Sequence, residues 1–217
     1  MYAGPGTISS VNVGRRETVT YLGQTFETGF RKQPVDGPVL AGDIMLAGDT
    51  QVCMHLHEGR NTKALYGFAQ EDYDWFAAEY GITPQPALFG ENLTLRGVDL
   101  RGCVVGDKWR AGRALLEASE PRLPCYKLGW RMGDPKWVKI FARALRPGSY
   151  FRIVEPGTIA AGDAFELVDR PSHGLTISEV MRIRLYAPEE RERFIGIEAL
   201  PFNYHAWAKG EPDVLNG

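Results

Sequence analysis

The sequence predicts a mainly β protein with peripheral helices and a short helical segment at its end. Three observations lead there. Through the first two-thirds of the chain, short runs rich in β-branched and aromatic residues are broken by glycine, the spacing of barrels and sandwiches. Only two stretches in that part carry helical periodicity. Beyond Arg170-Pro171 the pattern changes to successive helix starts.

The candidate strands are Thr7–Val13, Thr18–Phe26, Val39–Leu46, Ala114–Ser119, Tyr150–Val154 and Ala164–Val168. Gly-Asp recurs at Gly42-Asp43, Gly48-Asp49, Gly106-Asp107 and Gly162-Asp163, and each pair reads as a turn, because glycine accepts positive φ and aspartate bonds nearby backbone. The first helix is Glu71–Tyr80, with Tyr73, Phe76, Ala77 and Tyr80 on one face, acids in its first turn and Gly81 as its stop. The second starts with Asp134 as N-cap and Pro135 at the first helical position. It buries Trp137, Ile140, Phe141 and Ala144, turns Lys136, Lys139 and Arg143 to solvent, and ends at Pro147-Gly148. In the last segment Thr176-Ile-Ser-Glu179 is a capping box, Pro188-Glu-Glu opens a further helix, and Leu200-Pro201 leads into one ending near Trp207. Three helices of about ten residues are marginal alone and must pack on each other or on the strands. The boundary falls near residues 171–175, giving a domain over 1–172 and a three-helix segment over 173–217.

At 217 residues the chain can bury one good core plus a small appendage. A formal charge of −2 argues against a nucleic-acid coat, and no apolar stretch approaches the roughly 20 residues needed to cross a bilayer. Cys53, Cys103 and Cys125 are odd in number and widely spaced, which points to a reducing compartment. With no basic-then-apolar leader at Met1, the expected location is cytoplasmic.

Four segments combine reactive groups with tight backbone: Phe30-Arg-Lys-Gln-Pro-Val-Asp-Gly-Pro, His55-Leu-His-Glu-Gly-Arg-Asn-Thr-Lys-Ala-Leu, Phe89-Gly-Glu-Asn-Leu, and Ser119-Glu-Pro-Arg-Leu-Pro-Cys-Tyr-Lys-Leu. In the last, Pro121 and Pro124 favour a stiff extended loop, and Arg122 and Lys127 flank Cys125. Positive charge stabilises a thiolate, the form that attacks electrophiles or binds metals. The alternative is a buried cysteine acting as a small hydrophobe. Gly59–Lys63, with a hydroxyl and two cations, suits an anionic group such as phosphate. Cys53, His55 and His57 do not stand in a usual zinc spacing. Glu91 and Asn92 either cap local backbone or face a site. A thiol hydrolase pairing Cys125 with a histidine stays open on these residues alone.

Taken in order, these segments resemble the MOSC family, named for the C-terminal domain of molybdenum-cofactor sulfurases, and most closely its stand-alone bacterial YiiM-like branch. The matching pieces are Phe30-Arg-Lys-Gln-Pro-Val-Asp-Gly-Pro, Leu46-Ala-Gly-Asp-Thr-Gln, His57-Glu-Gly-Arg-Asn-Thr-Lys-Ala-Leu-Tyr, Phe89-Gly-Glu-Asn-Leu-Thr, Gly106-Asp-Lys-Trp-Arg and Pro121-Arg-Leu-Pro-Cys-Tyr-Lys-Leu. Leu175 to Trp207 resembles the branch's three-helix appendage. The chain departs from the family at Glu58, where glycine is common, and at Cys53, where aspartate is frequent.

The resemblance implies a distorted closed β-barrel followed by a small three-helix segment, and a molybdenum-cofactor oxidoreductase that reduces N-hydroxylated compounds, hydroxylaminopurine- or amidoxime-like, to amines. By it Cys125 is the molybdenum ligand, with Lys32, Lys63, Arg122, Lys127, Asn92 and the Gly59 loop around the pterin and its phosphate. Glu91 or His57 would deliver a proton. A thiolate suits molybdenum as a soft anionic donor. The chain carries neither an iron–sulfur cysteine cluster nor a nicotinamide fingerprint, so a separate reductase or ferredoxin-like protein is expected as electron donor. No nucleic-acid or membrane partner is expected. Two other functions use the same residues: a sulfur carrier with a persulfide on Cys125, and a cofactor-binding protein without turnover.

Overall fold

A computed structural model of the chain describes residues 5–52 and 61–211. Its centre is a ring of seven strands. β1 (Gly6–Gly14) is the long one; β6 (Leu65–Ala69), β7 (Leu93–Arg96), β8 (Lys108–Ala111), β9 (Ala114–Glu120), β10 (Ser149–Glu155) and β12 (Ala164–Asp169) complete the ring in the order β12-β8-β9-β10-β6-β7-β1, which closes because β1 also pairs with β12. Closure removes free sheet edges. All neighbours are antiparallel except β6 and β7, whose parallel pairing requires a crossover. The crossover is α1 (Gln70–Tyr80), ending at Gly81 in the left-handed conformation. β4 (Lys32–Pro34) adds to the far end of β1, and β5 (Val39–Ala41) pairs with β11 (Gly157–Ile159) outside the ring. Ile8, Val11, Leu93, Leu95, Leu116, Phe151 and Phe165 belong to the core that fills the ring.

Several expectations are corrected. Thr18–Phe26 is not one strand but a hairpin, β2 (Glu17–Tyr21) with β3 (Gln24–Thr28), turned by Leu22 at φ 50° and Gly23. β5 stops at Ala41, because the chain turns back so that Gly42 N–H bonds Met45 O and Leu46 bridges Ala41. A helix, α2 (Tyr126–Met132), follows the cysteine loop directly. The next, α3 (Trp137–Ala144), starts later than expected, although Asp134 Oδ1 still accepts the Lys136 N–H at 2.9 Å. It also ends earlier, at Leu145 with φ 49°.

The C-terminal segment is pinned to the barrel. Asp107, wholly buried in the Gly106-Asp107 turn, accepts Val104 N–H and both Arg170 Nε (2.8 Å) and Nη2 (2.5 Å). Just beyond, Val105 N–H bonds Leu175 O and Ile177 N–H bonds Cys103 O. Thr176 then caps α4 (Ile177–Tyr186) through the expected capping box. The Pro188 segment is a 3₁₀ helix (Pro188–Phe194) rather than an α-helix, and α5 (Phe202–Ala208) follows Pro201. Ile177, Val180, Ile183, Phe194 and Tyr204 share one apolar cluster with the barrel residues. β9 is consequently buried along its whole length. No helix among the described residues is long and apolar enough to cross a membrane.

Candidate active site

A second apolar cluster of aromatic side chains, including Phe68, Tyr73, Phe76, Phe89 and Phe141, joins α1 and α3 to the Ala87–Phe89 turn. Glu91 is anchored to this cluster. Wholly buried, its carboxylate accepts Tyr73 Oη–H at 2.7 Å, Ala87 N–H at 2.7 Å and Thr94 Oγ1–H at 2.9 Å. Burial pushes its pKa up, and those bonds pull it back. Glu91 does not line the cavity described next; its bonds fix the Phe89–Asn92 turn.

That cavity, of about 590 Å³, opens where the cysteine loop meets β4, β6, β9, β10 and the C-terminal helices. Cys125 lines it and is exposed, in extended backbone (φ −134°, ψ 178°) immediately before α2. Lys127, two residues on, has Nζ 5.7 Å from the Phe26 ring and 3.4 Å from Glu27 O. Arg122 is buried with its guanidinium 4.5 Å from the Phe30 ring and 5.0 Å from the Tyr66 ring, and it donates to Phe89 O at 2.7 Å. Its Nε is buried without a partner among the described residues. Burial works against the Arg122 charge, but Tyr150, Tyr66 and Cys125 beside it more than offset that and raise its pKa.

Lys32 and Asn92 meet across Asp49. Lys32 Nζ bonds both Asp49 oxygens, at 2.5 and 2.6 Å, while Asp49 also accepts Gly14 N–H at 2.7 Å and Asn92 Nδ2–H at 2.8 Å. Burial lowers the Lys32 pKa and Asp49 opposes it. Asn92 further accepts Tyr66 N–H and donates to Asn12 O, tying β1 to β6. Lys63 lies 3.7 Å from Glu120, which also accepts Thr62 Oγ1–H at 3.1 Å. Arg184 and Tyr204 reach the cavity from the C-terminal helices, Arg184 lying 4.3 Å from the Trp207 ring and 5.2 Å from that of Tyr204.

The structure therefore brings together Cys125, Lys32, Lys63, Asn92, Arg122 and Lys127. His57 and Gly59, with Glu58 and the Cys53–His57 run, lie outside the described residues. Sequence reasoning missed Asp49, Glu120, Tyr66, Tyr150, Arg184 and Tyr204 as lining residues. Asp49, Tyr66 and Glu120 stood inside the quoted segments without being singled out, Asp49 because its Gly-Asp pair read as a turn, whereas Tyr150, Arg184 and Tyr204 stood outside them. Among the described lining residues five cationic side chains stand against two carboxyl groups, a field that favours anions. A second cavity, about 450 Å³, is lined by Gly6, Val98, Trp109, Phe165 and Arg170 among others and has no thiol among its lining residues.

Residues 54–166 match the family model for the MOSC domain. The chain belongs to the MOSC domain family. It is 30% identical over 212 residues to the uncharacterized protein YflK of Bacillus subtilis, covering 96% of each chain. It is 31% identical over 186 residues to a protein of Gibberella moniliformis named Reductase, covering 82% of this chain but 32% of that one. The crystal structure of YiiM from Geobacillus stearothermophilus superposes with a TM-score of 0.79 at 27% identity, covering 95% of this chain and 98% of that one. MOSC domains are associated with the molybdenum cofactor, and the cavity has donors suited to such a group. An exposed thiol is the soft ligand the metal requires, and a cationic lining with an unpartnered buried Arg122 N–H suits the phosphate and the hydrogen-bonding edges of a pterin.

Proposed function

We propose that this MOSC protein is a molybdenum-cofactor-dependent oxidoreductase that reduces N-hydroxylated compounds, hydroxylaminopurine- or amidoxime-like, to the corresponding amines. The observation that carries the reading is the exposed Cys125 thiol opening onto a cation-lined cavity of about 590 Å³. When bound, the cofactor supplies the two-electron chemistry that breaks the N–O bond. The protein's part is to bind, orient and protonate.

In this reading Cys125 is the metal's thiolate ligand. Arg122, Lys63 and Lys127 are the cations for the phosphate and pterin. Lys32 and Asn92 act through Asp49: their bonds to it hold β1 and the Gly90–Asn92 turn at the cavity wall. Electrons come from a separate one-electron carrier or reductase. The Gibberella chain named Reductase extends well beyond the matched region, so there the domain accompanies other sequence.

The test is reduction of an aryl amidoxime by cofactor-loaded protein with a reduced viologen as donor. Turnover to the amidine that disappears in Cys125→Ser supports the reading. Molybdenum-replete protein that leaves every N-hydroxylated compound unchanged contradicts it.

A further inference from the structure

The reaction proposed above consumes protons as well as electrons: R–NHOH, two electrons and two protons give R–NH2 and water. Two carboxyl groups line the cavity among the described residues, Asp49 and Glu120. They are held differently. Asp49 accepts hydrogen bonds from the Lys32 ammonium on both oxygens, from the Gly14 N–H and from the Asn92 amide. Glu120, at the end of β9 and only 2% exposed, accepts the Thr62 hydroxyl at 3.1 Å, with the Lys63 ammonium farther off at 3.7 Å. Tyr150, from β10, feels the charge of Glu120 as well as those of Arg122, Lys63 and Cys125. Glu120 lines the same cavity as Cys125, Arg184 and Tyr204.

We infer that Glu120 is the acid of this cavity, giving its proton to the hydroxyl oxygen as the N–O bond breaks. The oxygen leaves as water. The nitrogen takes the electron pair that the bound cofactor would supply, which the separate carrier would restore in two one-electron steps, and picks up the second proton from solvent, which also returns Glu120 to its acid form. Burial raises the Glu120 pKa, against the opposing pull of Lys63, Thr62 and Tyr204, and so enlarges the share of the acid form near neutral pH. The inference rests on the proposed reductase reading.

The experiment compares wild type, Glu120→Gln and Glu120→Asp, loaded with cofactor and assayed for molybdenum content and for amidoxime reduction across the pH range in which the fold is stable. In parallel, infrared difference spectra of cofactor-free wild type against Glu120→Gln follow the titration of that one carboxyl. Expected are a protonated carboxyl persisting above the ordinary glutamate range, equal molybdenum in all three proteins, and a kcat lowered by about 10²-fold or more in Glu120→Gln with KM little changed. The fall of kcat with rising pH disappears in Glu120→Gln and partly survives in Glu120→Asp. Unchanged kcat and pH profile in Glu120→Gln, or an ordinary carboxyl titration, overturns the role of Glu120 alone. A molybdenum-replete wild type that reduces nothing removes the reductase reading and this role with it.

Discussion

Cys125 and Cys103 share a side chain and differ in everything around it. Cys103 is wholly buried, and burial together with the charge of Asp107 pushes its thiol pKa well up, so it behaves as a small apolar residue. Cys125 is exposed beside Arg122. Brief alkylation of the native protein should therefore label Cys125 and spare Cys103, read by peptide mass mapping; equal labelling would mean that the core admits reagent. Glu91 makes a second residue-scale case. Its three hydrogen bonds hold the turn before β7, so Glu91→Ala strands a buried tyrosine hydroxyl, an amide and a threonine hydroxyl. It should cost roughly 2–4 kcal/mol in urea unfolding; a loss below about 1 kcal/mol would show that water replaces the carboxylate. The thiol, its cations and Asn92 were legible in sequence because they sit in short ordered motifs. Tyr150 was not, since a strand residue carries no mark of which cavity it will line, and Glu120, although inside the cysteine-loop segment, carried no mark of its own there.

At the scale of elements, legibility followed whether local signals agreed. The capping box at Thr176 and the Gly81 stop were readable because side chain and backbone point the same way. The hairpin over Glu17–Thr28 was hidden because its turn uses Leu22 in a conformation usually left to glycine. α2 was hidden by Gly129 in its middle, a poor helix former. That glycine has a tertiary reason: a Cβ there would meet the Pro135 Cα at 3.0 Å, so the chain needs a bare backbone where α2 packs on the next turn. β6 is buried at every position and so lacks the alternation of a half-exposed strand. The capping box also supports a prediction. Thr176→Ala should destabilise the protein by about 1 kcal/mol in denaturant unfolding; no change would mean that the bridge from Thr176 to Val104 alone sets the start of α4.

Across the whole molecule, the barrel and the C-terminal helices share a core and a cavity. Ile177, Val180, Ile183 and Phe194 are fully buried in the cluster that fills the barrel, each contributing about 1.5–3 kcal/mol of apolar burial. Truncation after residue 172 should consequently give a chain that aggregates or loses cooperative unfolding; a soluble, cooperatively melting truncated barrel would contradict this. The same helices bring Arg184 and Tyr204 to the cavity wall, so their loss also opens the cavity. The central claim, that Cys125 holds molybdenum in this cavity, is tested most directly by elemental mass spectrometry. Wild type and Cys125→Ser would be produced side by side in a host that overaccumulates the cofactor. The expected result is near-stoichiometric molybdenum in wild type and its loss from a folded Cys125→Ser protein. Full molybdenum in Cys125→Ser would contradict the assignment of the ligand, and none in either protein would contradict the cofactor and leave Cys125 as a candidate persulfide carrier.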